Sequence, residues 1–206
     1  MTEYNSLQEM MRMIAKAVEA IADTVSDREA REFVGAVLRA QRIYVAGAGR
    51  SGLMAKAFAM RLMHLGFESY VVGETITPAM AEGDLLVAFS GSGETRSIAD
   101  ICRTARGVGG TVALITSTPD STIAKTADLL VVLNSSPYDD EGLPKEFGIR
   151  QLTGEHRSDA GRAPKSPIGS IYETAAGVFA DSVILALMQI RHCGIEDVIE
   201  RYANIQ

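Results

Sequence analysis

Five short apolar runs, Ile43–Ala46, Ser69–Val72, Leu85–Phe89, Thr111–Ile115 and Leu129–Leu133, decide most of what this chain can fold into. They are continuous rather than alternating, the pattern of parallel strands buried on both faces. Helix-patterned segments separate them: Gly52–Leu65, Arg96–Arg106 and a shorter stretch near Ser121–Lys125. Strands alternating with helices imply right-handed crossovers and an open, doubly wound, parallel α/β sheet. In a five-stranded sheet of order 2-1-3-4-5, ligands sit beyond the carboxyl ends of strands one and three, where the order reverses.

The flanks read as helix. Met10, Ile14, Val18 and Ile21 recur at three- and four-residue steps, and Ser26 before Asp27-Arg28-Glu29 opens a second helix through Ala40. After Leu133 the texture changes: Asn134–Pro167 is rich in Gly, Pro, Ser and charge, a connection long enough to be a lid, a binding arm or a disordered piece. A long helix runs from Ile168 to about Arg191, and Gly194 separates it from a short final one. The expected organisation is one domain: helices over 1–40, the sheet over 41–133, a long loop over 134–168 and C-terminal helices over 169–206.

Composition narrows the function classes. The 206 residues carry 20 Lys+Arg against 26 Asp+Glu, a net charge of −6, which argues against nucleic acid or an anionic membrane as partner. The two cysteines, Cys102 and Cys193, lie in apolar or helical stretches without CxxC and read as reduced thiols. Met1–Asn5 has no basic stretch followed by an apolar one, so no signal peptide is expected. Ala175–Ile190 contains Asp181, Ser182 and Gln189 and reads as a buried or interface helix rather than a membrane span. A cytoplasmic protein is expected.

The chemistry concentrates in two glycine-rich loops. The first strand runs into Gly47-Ala48-Gly49-Arg50-Ser51-Gly52 and the third into Ser90-Gly91-Ser92-Gly93-Glu94-Thr95, each followed at once by a helix. The first loop fits G-x-G-x-x-G in strand–turn–helix context, and Glu74 follows the second strand where a dinucleotide fold places its ribose-binding acid. On pattern alone a nicotinamide site is an open reading. The second loop instead offers the hydroxyls of Ser90, Ser92 and Thr95 beside the N–H groups of a helix start, donors suited to a phosphate monoester. One phosphate between the two loops is the more economical reading, with ordinary Ser/Thr helix caps as the plain alternative.

This pair of loops, in this order and separation, resembles the SIS (sugar isomerase) domain. Two further stretches, Arg61-Leu62-Met63-His64-Leu65-Gly66 and Pro167-Ile168-Gly169-Ser170-Ile171-Tyr172-Glu173, are similar to the 6-phospho-3-hexuloisomerases, with Ile168 replacing a methionine common there. The resemblance covers nearly the whole chain. It implies interconversion of D-arabino-hex-3-ulose 6-phosphate and fructose 6-phosphate, a step of formaldehyde fixation in the ribulose monophosphate pathway. It also implies a homotetramer that needs no metal and no cofactor. Other readings stay open: a sugar-phosphate-sensing SIS module without turnover, and an arabinose-5-phosphate isomerase, although Glu74–Asp84 lacks the histidine those enzymes share.

For that reaction Glu173 is the candidate base, although Ser170-Ile171-Tyr172-Glu173 also reads as a capping box. The resemblance makes His64 the second catalytic candidate, in its own or a neighbouring subunit's site; on residue pattern it is a histidine on a stripe with Leu53, Ala57 and Met60. Phosphate-binding candidates are Gly49, Arg50, Ser51, Ser90, Gly91, Ser92, Gly93 and Thr95, with Glu94 orienting its loop and Thr75 and Thr77 near the sugar. No spacing among His64, His156 and His192 suggests a metal site. The first helix and Val183–Ile190 carry more apolar surface than one small sheet needs and read as subunit interface or as intrachain core.

Overall fold

A computed structural model of the chain describes residues 6–135 and 170–194, together with Glu196, Ile199, Arg201 and Tyr202. Two capped helices come first. In α1 (Leu7–Ala22), Ser6 and Glu9 form a reciprocal capping box, and in α2 (Asp27–Arg39), Ser26 accepts a hydrogen bond from the Glu29 N–H. There follow β1 (Ile43–Gly47), α3 (Gly49–His64), β2 (Ser69–Val71), β3 (Leu85–Phe89), α4 (Arg96–Gly107), β4 (Thr111–Thr116), β5 (Leu129–Val132) and α5 (Ser170–Arg191). The expected long loop falls outside the described residues except for Asn134 and Ser135, whereas in the expected short final helix Glu196 and Ile199 are described and helical.

The five strands are all parallel, in the order β2-β1-β3-β4-β5. Their side chains alternate between two cores, as the period of two requires. Val45, Val87, Phe89, Ile115 and Val131 face α1, α2, α3 and α5, whereas Tyr44, Leu86, Ala88 and Leu114 face α4. Phe33 of α2, Phe58 of α3, Phe89 of β3 and Phe179 of α5 meet as an aromatic chain, so the last helix docks into the same core as the first crossover. At the amino edge of the sheet, Arg42 holds the buried Asp84 with two hydrogen bonds of 3.1 and 2.8 Å, joining the starts of β1 and β3.

The segment Ile171–Arg191 is long and apolar enough to cross a membrane. Here it lies on α3, α1 and α2, with Ala176 and Leu187 fully buried. The stretch Val183–Ile190 splits between the two readings: Val183, Ile184 and Leu187 are buried, whereas Leu185 and Ile190 face out. Cys102 of α4 lies in the core, where burial pushes its thiol up to about 11.

Two expectations are corrected. Ser121–Lys125 is a run of turns rather than a helix: it has one backbone bond of helical spacing inside it, Lys125 N–H to Ser121 O, too little to propagate. The stripe Leu53, Ala57 and Met60 on α3 is exposed, whereas His64 is buried, so His64 does not share its surroundings.

Candidate functional site

Strands β1 and β3 are neighbours in register, with Gly47 opposite Phe89, so the two glycine-rich loops leave the carboxyl edge of the sheet side by side. A side chain on Gly52 would stand 2.7 Å from the Gly47 carbonyl, and one on Gly47 would stand 2.8 Å from the Gly52 nitrogen. This backbone-on-backbone contact lets α3 begin within the motif, earlier than periodicity alone places it. Gly49 takes a left-handed φ of 57°, and Ser51 lies buried in the first turn of the helix. The positive end of α3 therefore meets the loop after β3.

In that second loop the carbonyls turn inward. Ser90 O accepts from Gly93 N–H, Gly93 O accepts from Ile123 N–H, and Gly91 O is reached by the Ser117 N–H and the hydroxyls of Thr116, Ser117 and Thr118. The N–H groups of Gly91, Ser92 and Thr95 have no partner among the described residues. Ser90 Oγ is likewise buried without a hydrogen bond. Thr95 caps α4 by position, and its hydroxyl makes no cap bond. Donors left open on one side of a loop whose Ser90, Gly91 and Gly93 carbonyls are spent on the other make an anion cradle. Glu94 turns away from it: Oε1 accepts from the Thr122 N–H at 2.7 Å, the orienting role expected of it.

The first turn of α5 closes the site. The Tyr172 ring packs on Gly91, and its hydroxyl donates to the Ile115 carbonyl at 2.6 Å. Burial drives that phenol well above its ordinary pKa, and the neighbouring Glu173 charge adds to the shift. The next residue, Glu173, is buried and places Oε2 3.6 Å from Nε of Arg50, which belongs to the first loop. Glu173 stands in the first described turn of the helix. A carboxylate, a guanidinium and an anion cradle thus converge at the switch point of the sheet.

His64 is not brought to this point within the subunit. It ends α3, fifteen residues and so about 22 Å along the helix from Gly49. Its ring lies 4.5 Å from that of Tyr202, whose hydroxyl accepts from Arg61. Nδ1 is buried without a hydrogen bond, and burial, then the Arg61 charge, lowers the pKa below the ordinary histidine value. Glu74, the ribose-binding candidate, is paired with Lys56 at 2.7 Å, and the Thr77 hydroxyl is spent on the Val71 carbonyl. Thr75 is exposed on the same connection. His192 is exposed, and His156 lies outside the described residues. No cluster of three metal-ligating side chains occurs among the described residues.

Two contributors escaped the sequence reading: Tyr172 as the tie between α5 and the second loop, and Thr116-Ser117-Thr118 as the seat of the Gly91 carbonyl. A signal for the seat existed, a run of three hydroxyl residues directly after an apolar strand.

Comparison with known proteins agrees with this arrangement. The SIS domain family matches residues 37–144. A 3-hexulose-6-phosphate isomerase of Bacillus subtilis is 40% identical over 182 residues, 88% of this chain and 89% of that one. One from Mycobacterium gastri is 32% identical, covering 91% of this chain and 87% of the relative. A crystal structure from Methanococcus jannaschii, for which a 3-hexulose-6-phosphate isomerase function was inferred, superposes with a TM-score of 0.75 at 28% identity, covering 96% and 99% of the two chains.

Proposed function

The chain belongs to the SIS-domain family, and on that premise we propose that it interconverts D-arabino-hex-3-ulose 6-phosphate and fructose 6-phosphate. The observation that carries the reading is the meeting of Glu173 with Arg50 of the first loop while Tyr172, beside it, packs on Gly91 of the second. The substrate phosphate sits between the first turn of α3, at Gly49, Arg50 and Ser51, and the loop of Ser90, Gly91, Ser92, Gly93 and Thr95. Backbone N–H groups and hydroxyls hold it with little net positive charge.

The reaction moves a carbonyl from C3 to C2. The Glu173 carboxylate removes the C2 proton, the C3 oxygen takes up a proton, and a C2–C3 enediol forms. The C2 oxygen then gives up its proton as C3 receives one, and the carbonyl stands at C2. Glu173 serves both carbon-proton transfers from one face of a cis-enediol. C2 is oxidised as C3 is reduced within the same molecule, so no external oxidant or reductant is needed. Arg50, more than half exposed, is free to swing between the Glu173 carboxylate and substrate oxygens. His64 polarises those oxygens from a neighbouring subunit, which its distance along α3 supports.

Assembly as a homotetramer fits the apolar side chains left outside the fold: Leu53, Met60 and Met63 on α3, Leu7 and Met11 on α1, and Leu185 on α5. The proposed location is the cytoplasm.

A coupled assay tests the function. Hexulose 6-phosphate, formed by a synthase from ribulose 5-phosphate and formaldehyde, is supplied, and fructose 6-phosphate is read out. Enzyme-dependent formation is expected, and its absence with folded protein at micromolar concentration would contradict the proposal.

Ser90→Ala separates binding from scaffolding. The hydroxyl it removes is buried and makes no bond among the described residues, so stability should hold or rise by about 1 kcal/mol. KM for fructose 6-phosphate should rise roughly tenfold, with kcat nearly unchanged. A falling melting temperature with an unchanged KM would make Ser90 a structural residue.

A further inference from the structure

Gly91 and Tyr172 press together where the second loop meets the first turn of α5. A methyl group built on Gly91 would stand 2.8 Å from Cδ1 and 3.0 Å from Cγ of the Tyr172 ring, so something must move to admit it. The Gly91 peptide is anchored, because its carbonyl is gripped from the end of β4 by Thr116, Ser117 and Thr118. The ring is anchored as well: it is buried, and its hydroxyl is held by the Ile115 carbonyl. What the contact leaves to respond is the turn of α5 that carries the next residue, Glu173.

We infer that Tyr172 is a positioning residue, whose contact with Gly91 couples the phosphate-binding loop to the placement of the Glu173 carboxylate. The inference rests on the reading of Glu173 as the base. A phosphate bound at the N–H groups of Gly91 and Ser92 firms the wall against which the base-bearing turn rests. Binding the distant end of the substrate thereby orders the group that acts on C2 and C3, a use of remote binding for catalysis at the reacting carbons. The ring is the coupling element, and its hydroxyl serves to hold the ring in place.

The test is a double-mutant cycle on Gly91→Ala, Tyr172→Leu and the double variant, with Tyr172→Phe and Glu173→Gln as references. Each protein's melting temperature is measured so that folded enzyme is compared. Each single variant should lose roughly 10–100-fold in kcat, the scale of a small misplacement of a catalytic group. Leucine leaves room for the added methyl, so the double variant should retain at least about fivefold more activity than the product of the single losses. Tyr172→Phe keeps the ring and should turn over within a few-fold of wild type.

Single losses that simply multiply, with Glu173→Gln inactive, would overturn the coupling and leave the base in place. Glu173→Gln turning over near the wild-type rate would overturn the base and the coupling with it. If Gly91→Ala fails to fold, the leucine and phenylalanine variants decide: an unchanged kcat in folded Tyr172→Leu overturns the inference.

Discussion

Replacing Glu173 with glutamine is expected to leave a folded protein that turns over roughly 10²–10⁴-fold more slowly, the usual contribution of a positioned general base. Glutamine keeps the size and hydrogen-bonding reach of the side chain but cannot take a carbon-bound proton. Its ionic contact with Arg50, which is more than half exposed, is worth little, so losing that contact should change stability by about 1 kcal/mol or less. In a chain of this length that is a few degrees in Tm. KM should survive, because the phosphate is held by the two loops. If folded Glu173→Gln runs near the wild-type rate, Glu173 does no more than seat the helix, and the base must be sought elsewhere, beginning with His64.

Gly93→Ala is expected to raise KM by roughly two orders of magnitude, with a smaller effect on kcat; 1.4 kcal/mol corresponds to each tenfold. Gly93 has a φ of 62°, and a Cβ there would collide with the side chain of Ser121. The left-handed conformation alone costs alanine about 1 kcal/mol, and crowding adds about 1–3 kcal/mol. The loop can relieve both only by giving up the Gly93 bonds to Ser90 and Ile123, which aim the open N–H groups at the phosphate. Gly109→Ala is the control. Its φ is 87°, but it lies at the opposite edge of the sheet, against Glu82. It should lower Tm and leave KM alone; equal KM shifts in the two variants would show that loop geometry does not hold the ligand. KM and Tm measured for both proteins decide the point.

The strands were legible because burial on both faces leaves no room for alternation: Leu85–Phe89 is apolar at every position, and each side chain is buried. The loops were legible because close approach and φ > 0 both demand glycine, at Gly47, Gly49, Gly52 and Gly93 alike. The turn at Ser121–Lys125 misled because its caps and short apolar content imitate a helix start, whereas the tertiary bonds from Glu94 and Gly93 decide its shape. The stripe on α3 misled for a different reason. Spacing shows which residues share a face and does not show what covers it, and among the described residues nothing buries Leu53 and Met60. The role of Tyr172 depends on contacts between residues far apart in the chain, with Gly91 and Ile115, and no local pattern encodes them.

The most direct measurement is a crystal structure with fructose 6-phosphate bound. The phosphate is expected between the first turn of α3 at Ser51 and the Ser90–Thr95 loop, accepting from the N–H groups of Gly91 and Ser92 and the Ser90 hydroxyl. C2 and C3 of the sugar should lie within reach of a Glu173 carboxylate oxygen. A phosphate bound elsewhere on the sheet edge, or a sugar with C2 and C3 turned away from Glu173, would contradict the account.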